Sequence, residues 1–424
     1  MNARLAIDGG TPYRTVPFAA RAPFGEREVE LVSAAIRSQN LFGPGSETLA
    51  EFEKRFAGLY DARHAAASTS GTAAIHVAVG AINPEPGDEI ITAPITDLGS
   101  VVPIVYQTAI PVFADVDETY NIDPADVERK ITPRTRAILV VHLFGNPANM
   151  DAIMAVARRH DLPVIEDCSQ AHLTSYRGRL CGTIGDMGAF SLQQSKHMTT
   201  GDGGVTITGR EDLAGRMRLF VDKGWTRQPG WGPRTYMFLA PNYRMTALQA
   251  AVGIAQTEKV AAVVARRTQL GDRLSARVRG LPGVEPAPVT PGGSHTYWAY
   301  PLRVSRWTPR RFAGALTAEG VPAGGGYIGK PIFLCAEALC GHETFGRSGF
   351  PFRSPYVERE VVYDETLCPR AQDALDHMIT LSINERYTEQ DIDDMAGAIA
   401  KVADLLPPDE AEPATRAPAR EVAG

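Results

Sequence analysis

The chain has 424 residues, of which 44% are hydrophobic and 22% charged, and its formal net charge is −6. This composition is typical of a globular protein, and the length favours two domains. The negative charge argues against nucleic acid or an anionic membrane surface as a partner. The five cysteines are sparse and odd in number, which is unlike a disulfide framework and favours a reducing compartment.

Residues 1–5 lack the apolar run of a signal peptide, and no window approaches the roughly 20 apolar residues of a membrane helix. We therefore expect a cytoplasmic protein. Cys335, Cys340 and His342 are close in sequence, but no second pair completes a set of zinc ligands. We expect these side chains to bind no metal.

From residue 25 to residue 255, short apolar runs alternate with amphipathic segments. Strands are predicted at residues 89–94, 110–116, 137–142, 163–167, 188–192 and 205–208. Helices are predicted between them at residues 72–81, 123–130 and 150–160, the second with Asp123 as N-cap and Pro124 at the first helical position. Strands that alternate with helices predict a mostly parallel sheet with helices on both faces.

A long helix is predicted at residues 246–267, and a second unit begins near residue 280. That unit has a predicted strand at 297–302 and helices at 310–319 and 391–405. Residues 324–370 are rich in glycine, proline and aromatic residues and fit no regular element. We predict an N-terminal arm (1–24), a large α/β domain (25–255), a smaller α+β domain (256–405) and a disordered tail (406–424).

Residues 68–72 read Ser-Thr-Ser-Gly-Thr just before a predicted helix. Free backbone N–H groups and the helix dipole favour a phosphate at such a place, with Ser70, Gly71 and Thr72 around it. The alternative is that these residues only cap the helix. Ser191, which ends a predicted strand, could add a hydroxyl to the phosphate or be a simple strand serine.

Asp167 ends a predicted buried strand, so it falls at the edge of the sheet where ligands bind. Lys196 follows another strand and precedes the glycine-rich stretch 201–204. A lysine amine, a carboxylate that keeps a pyridine nitrogen protonated and a phosphate cradle together predict a site for pyridoxal 5′-phosphate (PLP). Gln170 could donate to the phenolic oxygen of that cofactor. Glu166 should point to the other face of the strand, as a structural residue.

The chain resembles the DegT/DnrJ/EryC1/StrS family of PLP-dependent sugar aminotransferases, which have the type I fold of aspartate aminotransferase. The similarity runs from about residue 42 to residue 401. Its most specific parts are the segment 166–172, Glu-Asp-Cys-Ser-Gln-Ala-His, and the segment around Lys196. Other parts are residues 42–46, 70–74, 117–124, 241–245 and 387–391.

The resemblance implies a large domain with a mostly parallel, seven-stranded sheet and a smaller α+β C-terminal domain. It implies that Lys196 is the Schiff-base lysine and proton shuttle, and that Asp167 pairs with the pyridine nitrogen. Gln170 would lie beside the cofactor, and Gly71, Thr72 and Ser191 would hold its phosphate. Asn242 would reach the phosphate of a neighbouring subunit, which implies a homodimer with shared active sites.

One departure from the family concerns residues 93–99, Ala-Pro-Ile-Thr-Asp-Leu-Gly. The family usually places an aromatic ring there on the cofactor, but this segment has none, and Asp97 aligns with the ring. Either another apolar residue covers the cofactor or a carboxylate approaches it.

The resemblance implies a small-molecule amino donor, glutamate or glutamine, and a keto sugar or keto-cyclitol as acceptor. Arg227, Arg234 and Lys330 are candidates to meet the phosphates of a nucleotide-linked sugar, or are solvated surface charges. Two alternatives remain open: a PLP-dependent dehydratase or epimerase of keto sugars, and a non-catalytic metabolite sensor. In the related dehydratases a histidine replaces the lysine, so Lys196 argues against that variant.

Overall fold

The computed structural model describes residues 4–227, 234–357 and 359–409. Its helices are α1 Glu26–Arg37, α2 Glu47–Leu59, α3 Gly71–Ile82, α4 Val102–Tyr106, α5 Pro124–Lys130, α6 Met150–Arg159, α7 Glu211–Val221, α8 Ala247–Thr257, α9 Val260–Val278, α10 Pro309–Ala318, α11 Ile332–Cys335, α12 Glu337–Cys340, α13 Pro369–His377 and α14 Glu389–Leu405. Within these described ranges, no helix has the length and apolar character that a membrane crossing needs.

The strands are β1 His64–Ser68, β2 Glu89–Thr92, β3 Ile110–Phe113, β4 Thr135–Val141, β5 Val164–Asp167, β6 Ser175–Tyr176, β7 Arg179–Leu180, β8 Met187–Ser191, β9 Gly204–Thr208, β10 Val284–Glu285, β11 Tyr300–Val304, β12 Ala323–Gly325 and β13 Met378–Leu381. Six of the seven strands in the large sheet fall where the sequence predicts them. The exception is β1, whose residues 64–68 read His-Ala-Ala-Ala-Ser. Alanine has a low strand propensity, so burial in the sheet and not local preference forms this strand.

The large sheet has the order β1-β9-β8-β5-β4-β2-β3. All neighbours pair in parallel except β9, which runs antiparallel to both β1 and β8. Its strands are buried along nearly their whole length, as expected for a sheet covered on both faces. The prediction of a mostly parallel, seven-stranded sheet is therefore confirmed.

The predicted single helix at 246–267 is wrong in one respect, because the structure has two helices there. Helix α8 ends at Thr257 and α9 begins at Val260. Lys259 between them leaves the helical region with φ −124°, and its amine donates to Pro23 O and pairs with Glu28. These contacts with the N-terminal part of the chain turn the backbone at a point where the alanine-rich sequence shows no break.

A second sheet of four antiparallel strands has the order β10-β11-β13-β12. Its own apolar core joins residues from α9, α10 and α14 with Leu5 of the N-terminal segment. The smaller unit predicted from the sequence is thus an antiparallel sheet covered by helices, as expected for an α+β domain.

The contact between α2 and α8 depends on a glycine. A Cβ atom on Gly253 would lie 2.5 Å from the Phe52 ring, and Phe52 is fully buried. We expect Gly253→Ala to lower the free energy of unfolding by about 1–3 kcal/mol, because overpacking outweighs the better helix propensity of alanine. A urea titration measures this change.

Gly314→Ala in α10 is the matched control, since nothing lies within 4 Å of its Cβ position. It should stabilise the protein by about 0.5–1 kcal/mol through helix propensity alone. Equal effects of the two substitutions would contradict the packing argument.

Candidate active site

A cavity of about 400 Å³ lies at the carboxyl ends of β4 and β5, in contact with the N-terminus of α3. Its volume is in the range of small-molecule sites. Cavities of about 450 and 610 Å³ lie elsewhere and have no lysine in their described lining. Cavities of about 550 and 210 Å³ are lined by Lys54 and Lys130, but no buried carboxylate lines either of them among the described residues. The combination of a lysine with the buried Asp167 therefore singles out the cavity of about 400 Å³. Nearly all residues predicted for the site line it: Ser70, Gly71, Thr72, Asp97, Asp167, Gln170, Ser191 and Lys196.

The end of the cavity at α3 has the features of a phosphate site. Ser70 caps the helix, its side chain accepting from Ala73 N at 3.0 Å. No hydrogen bond of the described chain uses the N–H groups of Gly71 and Thr72, so both remain available to an anion at the positive end of the helix dipole. A Cβ atom on Gly71 would lie 2.6 Å from Ser191 Cβ, so only glycine lets β8 approach this helix end.

Asp167 is buried at the end of β5 and has a hydrogen-bond donor on each carboxylate oxygen. Ser100 Oγ donates to Oδ2 at 2.7 Å, and Ser169 N donates to Oδ1 at 3.0 Å. Thr96 Oγ1 lies 2.7 Å from Ser100 Oγ, so a second hydroxyl extends this series of hydrogen bonds. These bonds fix the orientation of a carboxylate that also lines the cavity.

The amine of Lys196 lies over the ring of Trp298, 4.1 Å from its centroid. Burial lowers the pKa of Lys196 to about 8, while the charges of Asp167 and Asp97 act in the opposite direction. Desolvation is thus the larger effect, as expected for a lysine that must react as a neutral amine.

Gln170 links two other parts of the cavity. Its Oε1 accepts from Phe144 N at 2.7 Å, and its Nε2 donates to Tyr327 Oη at 3.3 Å. Burial raises the pKa of Tyr327 to about 12, so its hydroxyl stays protonated at neutral pH.

Asp97 lines the cavity at the turn after β2, where its Oδ1 accepts from Gly99 N at 2.8 Å. A Cβ on Gly99 would lie 2.6 Å from Thr72 Oγ1, so this turn packs directly on the start of α3. The aromatic surface that residues 93–99 lack is supplied by Trp298 and Tyr327, which line the same cavity.

Asn242, Arg227, Arg234 and Lys330 do not line this cavity. Asn242 is exposed and forms a backbone bridge with Asp222. Arg227 pairs with Asp222 at 2.5 Å, and both Arg227 and Arg234 stack on Trp225. Within one chain Asn242, Arg227 and Arg234 form a separate cluster around Asp222 and Trp225, beside a second cavity that Arg227 helps to line.

Two neighbours of the site residues are structural. Glu166 is fully buried on the other face of β5, where it accepts from Ile184 N and Gly185 N, both at 2.7 Å. Its Oε2 accepts from His142 Nε2 at 3.0 Å. His197 is buried and donates to Thr296 O at 2.8 Å. The interpretation of Glu166 as a structural residue is confirmed.

Sequence reasoning missed Trp298, Ser100 and Thr96. Trp298 was assigned to a strand that instead begins at Tyr300, since Thr296 N and Trp298 N bond to Gly145 O and Phe144 O. Tyr297 between them has a left-handed φ of 49°. Thr96 falls in the segment already singled out for its missing aromatic ring, and Ser100 directly follows that segment. The carboxylate to which Ser100 donates, Asp167, is 67 residues away.

The described cavity fits PLP. An amine with a lowered pKa, a buried carboxylate and a helix N-terminus with free N–H groups share one space of suitable size. The fold and the cavity define a PLP-dependent transferase of fold type I.

The comparisons with known proteins narrow the class. The model of the DegT/DnrJ/EryC1/StrS aminotransferase family matches residues 24–335, so the chain belongs to this family, whose members are PLP-dependent aminotransferases. The chain is 32% identical to L-glutamine:2-deoxy-scyllo-inosose aminotransferase of Streptoalloteichus tenebrarius, over 95% of this chain and 98% of that protein. It is 41% identical to GDP-perosamine synthase of Caulobacter vibrioides, over 60% of this chain and 69% of that protein.

Among solved structures, an aminotransferase from Psychrobacter cryohalolentis superposes with a TM-score of 0.79 at 30% identity. The match covers 91% of this chain and 98% of that chain. The architecture therefore extends over almost the whole of both proteins, including the smaller unit.

The lowered pKa of Lys196 can be measured on the cofactor-free protein. The rate at which an amine-directed acylating reagent modifies Lys196 should rise with pH around a midpoint near 8. Asp97→Asn removes a charge that favours the ammonium form, so the midpoint should move to lower pH. Mass spectrometry of the modified peptide reports the rate, and an unchanged midpoint in Asp97→Asn would show that this carboxylate does not act on the amine.

Proposed function

We propose that the chain transfers an amino group from L-glutamate or L-glutamine to the carbonyl of a keto sugar or keto-cyclitol, in secondary-metabolite or glycan biosynthesis. The observation that carries this proposal is the placement of the Lys196 amine beside Asp167, in a cavity that ends at the N-terminus of α3. The names of the relatives support the choice of donor and acceptor.

Bound PLP supplies an electron sink that stabilises a carbanion at the carbon carrying the amine. Asp167 holds its ring nitrogen in the protonated state, and Ser70, Gly71, Thr72 and Ser191 hold its phosphate. Lys196 Nζ, in its neutral form, accepts the proton from the α-carbon of the donor and returns a proton to complete the transfer. The same residues act in reverse order on the keto acceptor, which gives ping-pong kinetics.

The charges of the cavity favour an acceptor without phosphate groups. Lys196 is the single cation among the described lining residues, against the three carboxylates of Asp97, Asp167 and Asp202. A nucleotide-linked sugar would bring a diphosphate that needs cations, and within one chain Arg227, Arg234 and Lys330 lie outside this cavity, so these cations would have to come from the partner subunit that brings Asn242. A free keto-cyclitol, as in the name of the Streptoalloteichus relative, is the acceptor that this lining supports best.

The assembly and the domain limits belong to the same proposal. A cytoplasmic homodimer with shared sites is supported by Asn242, which is exposed and does not line the Lys196 cavity of its own chain. The limits proposed for the domains are residues 25–255 and 256–405. Each sheet has its own apolar core, which supports two domains. Val260 and Val264 still belong to the core of the large sheet, and a third apolar cluster joins Phe113 of the large domain to Phe333 of the smaller one.

The donor half of the reaction can be followed by visible absorbance. We expect the band of the PLP-loaded protein to fall on addition of L-glutamine or L-glutamate, with release of the matching oxoacid. Lys196→Ala should show neither the band of the lysine-linked cofactor nor turnover, because it lacks the amine. A band that persists with both donors would exclude them as substrates and favour the dehydratase or epimerase alternative.

Shared sites can be tested by mixing two inactive variants. In a mixed dimer, one subunit carries Lys196→Ala and the other carries Asn242→Ala. Because each site would combine Lys196 of one subunit with Asn242 of the other, both substitutions fall in the same site and the second site is intact. Statistical mixing should therefore restore about a quarter of the wild-type activity, since half of the dimers are mixed and each has one working site. Co-expression with two tags isolates the mixed dimer.

The matched control pairs Lys196→Ala with Asp167→Asn. Both residues serve the cavity of their own chain, so every site of that mixed dimer is defective and no activity should return. Recovery in the control, or its absence with Asn242→Ala, would contradict the proposed exchange of Asn242 between subunits.

A further inference from the structure

The chain before α1 passes beside the turn that carries Lys196. We call residues 4–24 the arm and residues 192–200 the Lys196 turn. The guanidinium of Arg21 on the arm donates to Gln194 O at 2.9 Å and to His197 O at 2.8 Å. These two carbonyls belong to residues on either side of Lys196 in the sequence. A single planar guanidinium therefore bridges the backbone around the residue proposed to hold the cofactor.

Arg21 is itself held in place by a carboxylate. Its Nε donates to Glu385 Oε1 at 2.9 Å, and Arg267 Nε donates to Glu385 Oε2 at 3.0 Å. Arg267 is only 2% exposed. Burial alone would raise the pKa of Glu385, but the charges of Arg267 and Arg21 outweigh it and lower the pKa. The carboxylate therefore stays ionised and orients the guanidinium of Arg21.

Two further side chains secure the same region, one as a donor to the turn and one as an acceptor from it. Trp298 Nε1 donates to Ser195 O at 3.1 Å. Gln256 bridges the turn and the arm, since its Oε1 accepts from Thr199 N at 3.3 Å and its Nε2 donates to Pro23 O at 2.8 Å. The turn thus receives its outside support from the arm, from α8 and from the segment before β11.

Within the turn, Lys196 N donates to Gln193 O, Thr200 N and Thr199 Oγ1 donate to Leu192 O, and Ser195 N and Oγ donate to Gln193 Oε1. Residues 197–199 are buried, whereas residues 193–195 are exposed. Among the described bonds within the turn, none uses the carbonyls of Gln194 and His197, the two that Arg21 binds. Loss of the Arg21 guanidinium therefore removes a restraint on the backbone on both sides of Lys196.

We propose that Arg21 is a positioning residue for Lys196. Its guanidinium fixes the Lys196 turn, and its ion pair with Glu385 makes retention of the cofactor depend on the docking of the arm. The link to the cofactor rests on the proposed role of Lys196, whereas the effect on the turn does not.

Arg14 provides a matched control on the same arm. It pairs with Asp391 and Asp394 of α14, both at 2.6 Å, and it stacks on Phe18. Among the described contacts, Arg14 has none with the Lys196 turn. Arg14→Ala and Arg21→Ala both remove an arginine that pairs with carboxylates, but only the second removes the two bonds to the turn.

The test compares the PLP-loaded full-length variants by two measurements. Hydrogen–deuterium exchange of the peptide that covers residues 192–200 reports the turn, and loss of the visible band in the presence of a PLP trap reports dissociation of the cofactor. We expect Arg21→Ala to raise both rates about tenfold, the change that corresponds to about 1.4 kcal/mol. Arg14→Ala weakens the docking of the arm but keeps Arg21 and its two bonds to the turn, so it should raise both rates far less than Arg21→Ala does.

Equal exchange rates in Arg21→Ala and Arg14→Ala would overturn the proposal. Faster exchange with unchanged dissociation would overturn the link to the cofactor while leaving the effect on the turn. If Arg21→Ala fails to fold, Arg21→Lys serves instead, because it keeps the charge beside Glu385 but cannot span both carbonyls. Wild-type exchange and dissociation in Arg21→Lys would then overturn the proposal.

Discussion

The burial of one lysine amine is the constraint on which the site depends. A shift of the Lys196 pKa from 10.5 to about 8 corresponds to about 3 kcal/mol against the charged form. It leaves about a tenth of the amine neutral at pH 7, several hundred times more than a lysine in water. The carboxylates of Asp167 and Asp97 limit the shift. Without them the pKa of the amine would fall further, and without burial it would stay near the value of a lysine in water. The cavity walls, and not the charged groups, therefore make this amine less basic.

The strand order explains how distant segments reach that amine. Strand β9 returns antiparallel to β8, so the turn between them begins and ends at the carboxyl edge of the sheet, where Asp167 ends β5. Strand β1 pairs with the other side of β9, and α3 follows it directly. The phosphate end, the carboxylate and the lysine therefore meet at one edge through main-chain pairing. Gly204 allows this closeness, because a Cβ there would lie 2.1 Å from Ser70 O.

The sequence predicted what depends on local pattern and on motifs. Six strands, the ends of α3 and α5 and the cavity residues from Ser70 to Lys196 follow from apolar runs, caps and residue chemistry. Strand β1 was missed because its alanines favour a strand only when neighbours bury them. The break between α8 and α9 was missed because its cause, the contact of Lys259 with Pro23, is 236 residues away in sequence. Trp298 and Ser100 were missed for the same reason, since each acquires its role only from a distant partner.

The aromatic residues that line the cavity do not come from residues 93–99, where the family usually has one. Residues 93–99 offer Asp97 to the cavity, and the rings come from Trp298 and Tyr327 instead. The segment before β11 is bound to the large sheet by Thr296 N to Gly145 O at 2.9 Å and by Trp298 N to Phe144 O at 2.8 Å. The main chain of Trp298 is therefore held against the large sheet. Its ring lies over the Lys196 amine, and Asp97, Thr96 and Ser100 add polar groups to the lining of the cavity.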